Sequence, residues 1–117
     1  MQERENIPIR LAVCDDEPTD RDQIVQMAQA LLTEERIQAA ISPYACAADL
    51  LRAIQSGSVF HMLILDVMMT DMDGMSLAAA LRAQNEEAAI IFVSSNRELA
   101  LKGYEVAAAR YLAKPFE

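Results

Sequence analysis

Four acidic or polar positions, Asp15-Asp16, Asp66, Ser94 and Lys114, each follow a short apolar run: Ile9 to Cys14, Met62 to Leu65, Ala89 to Val93 and Arg110 to Ala113. Runs of this kind read as strands, and in an open parallel α/β sheet functional groups collect at the carboxyl ends of the strands. One crevice would then receive a carboxylate pair, a single carboxylate, a hydroxyl and an ammonium. Two carboxylates about 4 Å apart repel by roughly 4 kcal/mol at an effective dielectric of about 20. Such a group either takes up a proton or holds a cation. Oxygen-only ligands select a hard cation, and a few carboxylates completed by water and phosphate suit Mg²⁺. Magnesium also neutralises the charge that develops in phosphoryl transfer. Asp66 is the candidate nucleophile, since a carboxylate that attacks phosphorus gives an aspartyl phosphate. Lys114 would meet the phosphoryl oxygens and Ser94 would donate its hydroxyl to them. The chain uses two lysines, Lys102 and Lys114, against eight arginines. A compact ammonium at this spot reaches into a crevice that a planar guanidinium would fit differently. Taken singly, Asp15-Asp16 and Ser94 read as helix caps, Asp66 as the start of a turn and Lys114 as a solvated charge. The conjunction of complementary groups at four strand ends argues against that.

The elements that must position these groups alternate between strand and helix, without internal repeats. The first strand, Ile9 to Cys14, is apolar enough for burial on both faces. Pro18 suits the first turn of a helix, where its missing N–H has no partner to lose. Ile24, Met27, Ala28, Leu31 and Leu32 follow the spacing of one buried helical face. Ile37 to Ser42 reads as a second, weaker strand broken by Pro43-Tyr44. A helix carrying Ala47, Leu50, Leu51 and Ile54 ends at Ser56-Gly57-Ser58. The third strand is expected from Phe60 to Asp66. A loop then leads through Gly74 into a helix with Leu77, Ala78 and Leu81. Ala89 to Ser94 forms the fourth strand, and Arg97 to about Tyr104 a short fourth helix. The three alanines 107–109 favour helix, but Pro115 biases Lys114 toward extended backbone, so a last strand is expected over Arg110 to Ala113. This order implies a doubly wound parallel sheet with right-handed crossovers.

A chain of 117 residues makes one domain. It is 53% hydrophobic but only 5% aromatic, so its core is built from Leu, Ile, Val, Ala and Met. The net charge of −8 argues against direct binding to nucleic acid or to an anionic membrane surface. No run is long enough to span a bilayer and the start is charged, so a cytoplasmic protein is the expectation. Cys14 falls in an apolar strand and is expected as a buried free thiol, whereas Cys46 is expected at a helix start and partly exposed. His61, the single histidine, is expected at a strand start. Asp71-Met72-Asp73-Gly74 resembles part of a calcium loop but lacks its later acidic positions, so a turn into the third helix is the better reading. Met68, Met69, Met72 and Met75 read as adaptable packing around the loop after Asp66.

The motifs Asp15-Asp16-Glu17, Leu65-Asp66-Val67-Met68-Met69 with Asp73-Gly74, Phe92-Val93-Ser94-Ser95 and Tyr111-Leu112-Ala113-Lys114-Pro115-Phe116 occur in order from about Ile9 to Phe116. In this the chain resembles the receiver domain of two-component response regulators. The resemblance implies a flavodoxin-like five-stranded sheet of order 2-1-3-4-5. It implies that Asp66 accepts a phosphoryl group from the phosphohistidine of a sensor histidine kinase. Asp16 would bind Mg²⁺ directly and Asp15 mainly through water, with Asp66 and the backbone carbonyl of Met68 completing the protein ligands. Ser94 and Lys114 would grip the phosphoryl oxygens, Tyr111 would be an aromatic switch, and Met68 and Asn96 would tune the lifetime of the phosphoryl group. A cis bond before Pro115 is a further family expectation. The stretch from Ala100 through Phe116 is most similar to receivers attached to LytTR-type DNA-binding domains.

Thr70 stands where the family usually has proline, which is expected to loosen the loop after Asp66. The pattern also calls for one more helix after the fifth strand. Residues 1–117 are therefore expected to be a receiver domain without its final helix and without its output domain. Such a piece would leave apolar surface open near the last two strands and favour self-association. Two other functions are open to the same residues. A Mg²⁺-dependent phosphatase with an aspartyl nucleophile would need an acid two residues after Asp66, where Met68 stands. A receiver-shaped interaction module independent of phosphorylation would be expected to have lost an acidic or lysine position, and none is lost.

Overall fold

Five parallel strands form one sheet in the order β2-β1-β3-β4-β5. The computed structural model describes residues 8–69, 71–83, 87–94 and 110–113. The strands are β1 (Ile9–Cys14), β2 (Ala39–Tyr44), β3 (Met62–Asp66), β4 (Ala89–Ser94) and β5 (Arg110–Ala113). The helices are α1 (Pro18–Glu34), α2 (Ala47–Gln55) and α3 (Gly74–Ala83). The helix expected over Arg97 to Tyr104 lies outside the described residues.

Alternation along the strands sorts the core into two layers. Ala12 and Cys14 of β1, Leu63 and Leu65 of β3, and Ile90 and Phe92 of β4 pack with Leu50 of α2 and Leu77 and Leu81 of α3. Their neighbours Val13 and Val93 turn the other way and meet Ile24 of α1. Apolar side chains thus line both faces of the central strands, which is why these strands read as near-continuous apolar runs.

Three local expectations are corrected. The second strand runs through Pro43 and Tyr44 instead of breaking there, with Pro43 in register with Val13. β2 is an edge strand, and an edge tolerates a residue that cannot donate to the ladder. Nor does that strand begin at Ile37. The Ile37 amide donates to the Leu32 carbonyl at 2.8 Å and the Arg36 amide to Thr33 at 3.0 Å. Arg36 takes a φ of 61°, so both residues belong to the left-handed turn that terminates α1. The third strand starts at Met62, two residues later than expected. His61 exchanges bonds with Arg10 there, donating its amide to the Arg10 carbonyl at 2.8 Å and accepting the Arg10 amide on Nδ1 at 2.9 Å. Phe60 is buried ahead of the strand and stands edge-on to Tyr44, with ring centres 6.2 Å apart.

The apolar face of α1 is less buried than its spacing predicts. Ile24 is buried, but Met27 and Leu31 are 42% and 58% exposed. An apolar groove of about 450 Å³ separates this part of α1 from the sheet, lined by Leu31 and Leu32 and by Ile9, Ile64, Ile91 and Val93. Open apolar surface therefore reaches β4, on the α1 side of the sheet, and includes β1 and β3 as well.

Candidate functional site

The register of the central strands builds the site. Cys14 pairs with Leu65 across β1 and β3, so Asp15, just past the end of β1, comes beside Asp66, the last residue of β3. This is where the strand order reverses, the place where open α/β sheets hold their ligands. Asp15, Asp16 and Asp66 each bring a carboxylate oxygen to within 4.8 Å of the others. Asp15 and Asp66 are buried and Asp16 is half-buried. Three carboxylates at this separation make a hard, anionic, oxygen-only donor set. Its chemistry fits a small divalent cation with few protein ligands, which is the preference of Mg²⁺.

The surrounding bonds hold the acids in place. The Asp15 amide donates to Tyr44 O at 3.1 Å, which extends the β1–β2 pairing past the last strand residue. Its Oδ1 accepts the Glu17 amide at 3.0 Å. The guanidinium of Arg21, one turn into α1, donates to the Asp15 carbonyl at 2.8 Å. The cap of α1 is Glu17, whose side chain accepts the Thr19 amide at 3.3 Å. The acidic pair is therefore not what starts that helix. Nothing in the local spacing marked Arg21 as a partner, because its acceptor is a backbone carbonyl.

The stretch after Asp66 is tied down at several points. The Val67 amide donates to Val93 O at 3.0 Å, and the Gly74 amide returns to Val67 O at 2.9 Å. Gly74 lies so close under β3 that a Cβ there would overlap the Asp66 carbonyl oxygen. Cys14 Sγ contacts Met69 Sδ at 3.6 Å. Burial above all, with the nearby charges of Asp71, Cys46, Asp15 and Asp66, pushes the Cys14 thiol up to about 12. It is therefore an un-ionised packing group, as expected for the strand position, and Cys46 is half-buried at the start of α2.

Asp71 and Asp73 do what a turn requires and not what a calcium loop would. Asp73 accepts the Ser76 amide at 2.7 Å and so caps α3. Asp71 reaches across to α2 and accepts the amides of Ala47 at 3.3 Å and Ala48 at 3.0 Å. Partial desolvation alone would raise the Asp71 carboxyl. The amides of Ala48 and Ala47, with its own and that of Met72, outweigh this and hold it below the usual carboxylate range. Its stabilising contribution is thus present above the unfolded-state value and fades as pH falls through the lowered one.

Of the other expected site residues, Met68 follows the acid by two positions and is 58% exposed. Ser94 ends β4, in register with Ala113 of β5, and Tyr111 is in register with Phe92. Backbone pairing thus brings the end of β4 beside Asp66, which pairs with Val93. The side chains of Ser94 and Tyr111 lie outside the described part of the structure, as do Thr70, Asn96, Lys114 and the bond preceding Pro115.

Comparison with known proteins agrees with this geometry. The family model for the response regulator receiver domain matches residues 11–117. The positive alginate biosynthesis regulatory protein of Pseudomonas aeruginosa is 28% identical over 107 residues, which is 92% of this chain and 42% of that protein. The transcriptional regulatory protein LytR of Staphylococcus aureus is 27% identical over 108 residues, again 92% of this chain and 42% of the relative. The chain thus spans about two-fifths of the length of these curated relatives. Among solved structures, the response regulator TrrA of Thermotoga maritima, in complex with Mg²⁺–BeF, is 27% identical with a TM-score of 0.75, covering 93% of this chain and 89% of that one. The chemotaxis protein CheY4 of Vibrio cholerae is 23% identical with a TM-score of 0.80, covering 95% and 90%, and shares the fold.

Proposed function

The chain belongs to the response regulator receiver domains, and from that premise we propose that Asp66 is its phosphoacceptor and that Asp15, Asp16 and Asp66 hold the Mg²⁺ the transfer requires. The observation that carries this reading is the mutual approach of the three carboxylates to within 4.8 Å at the β1/β3 switch point. Asp16 is the more open of the β1 pair, which suits direct contact with the ion. Buried Asp15 suits a supporting role through water. The backbone carbonyl of Met68 would add an oxygen. The bound cation would offset charge on the three acids and on the equatorial phosphoryl oxygens.

In the proposed step an Asp66 carboxylate oxygen attacks the phosphorus of a phosphohistidine on a sensor histidine kinase. The new O–P bond forms as the P–N bond breaks, and the departing imidazole keeps the electron pair. Ser94 and Lys114 would bind the phosphoryl oxygens, and Tyr111 would respond as the switch. Slow hydrolysis returns the carboxylate, with Met68 and Asn96 setting the pace. Signalling modules of this family are not turnover enzymes. The curated relatives named above are regulators, and LytR is a transcriptional one. We accordingly assign an output of transcriptional type, LytTR-like, to the part of such proteins that this chain does not span. The open apolar groove beside α1 is a surface through which the chain would self-associate. No described helix is long and apolar enough to cross a membrane.

Acetyl phosphate with Mg²⁺ should add one phosphoryl group to the intact chain, seen by mass spectrometry and lost with chelator. Phosphomonoesters should give no sustained release of phosphate. Many turnovers on a phosphomonoester would instead support the aspartyl phosphatase reading, for which Met68 supplies no acid.

A further inference from the structure

α2 begins without a cap of its own. Its N-cap residue is Cys46, whose side chain makes no capping hydrogen bond. The open amides of Ala47 and Ala48 are satisfied from 24 and 23 residues away, by the two carboxylate oxygens of Asp71. Asp71 lies in the stretch that joins Asp66 to α3, three positions beyond Met68. A carboxylate bound to two helix-start amides is a charge-assisted anchor, and this one fastens the loop to α2, the helix that packs beside α3 on the same face of the sheet. Cys14 Sγ against Met69 Sδ at 3.6 Å supplies a second, softer contact between the same loop and β1.

We propose that Asp71 is a positioning residue for the metal site: by seating on the start of α2 it fixes the span of the loop from Asp66, and with it the Met68 carbonyl. This rests on the reading of Met68 O as a metal ligand given above. The ordinary solution, a Ser, Thr, Asp or Asn at the helix's own N-cap, would satisfy α2 equally well but would leave the loop unfastened. Using a residue of the loop instead couples helix and loop. It also supplies restraint to a loop in which Thr70 stands where the family usually has proline. Groups that hold a ligand's orientation from outside the coordination sphere typically govern metal affinity by about 10- to 100-fold.

The test separates the anchor from the cap. Mg²⁺ binding and thermal unfolding are measured by calorimetry on the full chain for the wild type, Asp71→Ala, and Asp71→Ala combined with Cys46→Ser. The serine gives α2 a local cap. Asp71→Ala should lower the melting temperature and weaken Mg²⁺ binding about tenfold. The added serine should restore melting while binding stays weak. Unchanged affinity in Asp71→Ala, or recovery of affinity along with melting in the double variant, overturns the proposal and leaves Asp71 as a helix cap. A wild-type chain that binds no Mg²⁺ overturns the metal-site reading itself, and the anchor with it.

Discussion

Gly74→Ala is expected to destabilise the chain by about 3 kcal/mol or more, at or beyond the upper end for overpacked sites. A Cβ at this position would overlap the Asp66 carbonyl oxygen and lie 3.0 Å from both the Asp66 carbonyl carbon and Val67 Cα. All three are backbone atoms, so no side chain can swing aside to make room. Either α3 moves away from the sheet, opening the layer formed by Leu77, Ala78 and Leu81, or the end of β3 moves and takes Asp66 with it. Thermal unfolding should fall by about 10 °C or more for a domain of this size. Gly57→Ala provides the contrast. Gly57 has open space around it, and its φ of 107° makes alanine strained there, at a cost of about 1 kcal/mol. Equal melting losses at the two glycines would contradict the close approach of α3 to Asp66.

Asp66→Asn should remove most of the chain's stabilisation by Mg²⁺. Three carboxylates within 4.8 Å of one another form one anionic donor set, and replacing one with a neutral amide takes away a charge that a hard divalent cation needs. With Mg²⁺ at about 100 times its dissociation constant the wild type gains about 2.7 kcal/mol, and the Asn variant should gain much less. Differential scanning calorimetry of both chains with chelator and with Mg²⁺ measures the two gains. A variant that gains as much from Mg²⁺ as the wild type would show that the three acids do not act as one cation site.

These two expectations draw on features of unequal legibility. Asp66 announced itself, because a charged residue directly after Met62 to Leu65 marks a strand end, and the strand order then gathers such ends. The same holds for β5, where Pro115 set the extended backbone against the helical preference of residues 107–109. The edge position of β2 was not legible in the residues around Pro43 and came only with the strand order 2-1-3-4-5 that the family resemblance implied. Whether Pro43 breaks a strand depends on whether another strand needs its N–H, which only the sheet order decides. Ile37 looked like a strand residue because its apolar side chain does not reveal that its amide closes α1. The spacing of Met27 and Leu31 gave the right face of α1 but not its burial, since periodicity names a face and the opposing elements determine how far it is covered. Asp71 was the least legible of all. Its role lies in bonds to Ala47 and Ala48, and no local pattern connects residues so far apart in the chain.

The most direct measurement locates the phosphoryl group itself. The chain is incubated with acetyl phosphate and Mg²⁺, the acyl phosphate is trapped by borohydride reduction, and the peptides are mapped by mass spectrometry. The account predicts homoserine at position 66 and nowhere else, with no trapped product in chelator or in Asp66→Asn. Reduction at Asp15 or Asp16 in the wild type, or undiminished phosphoryl uptake by Asp66→Asn, would contradict it.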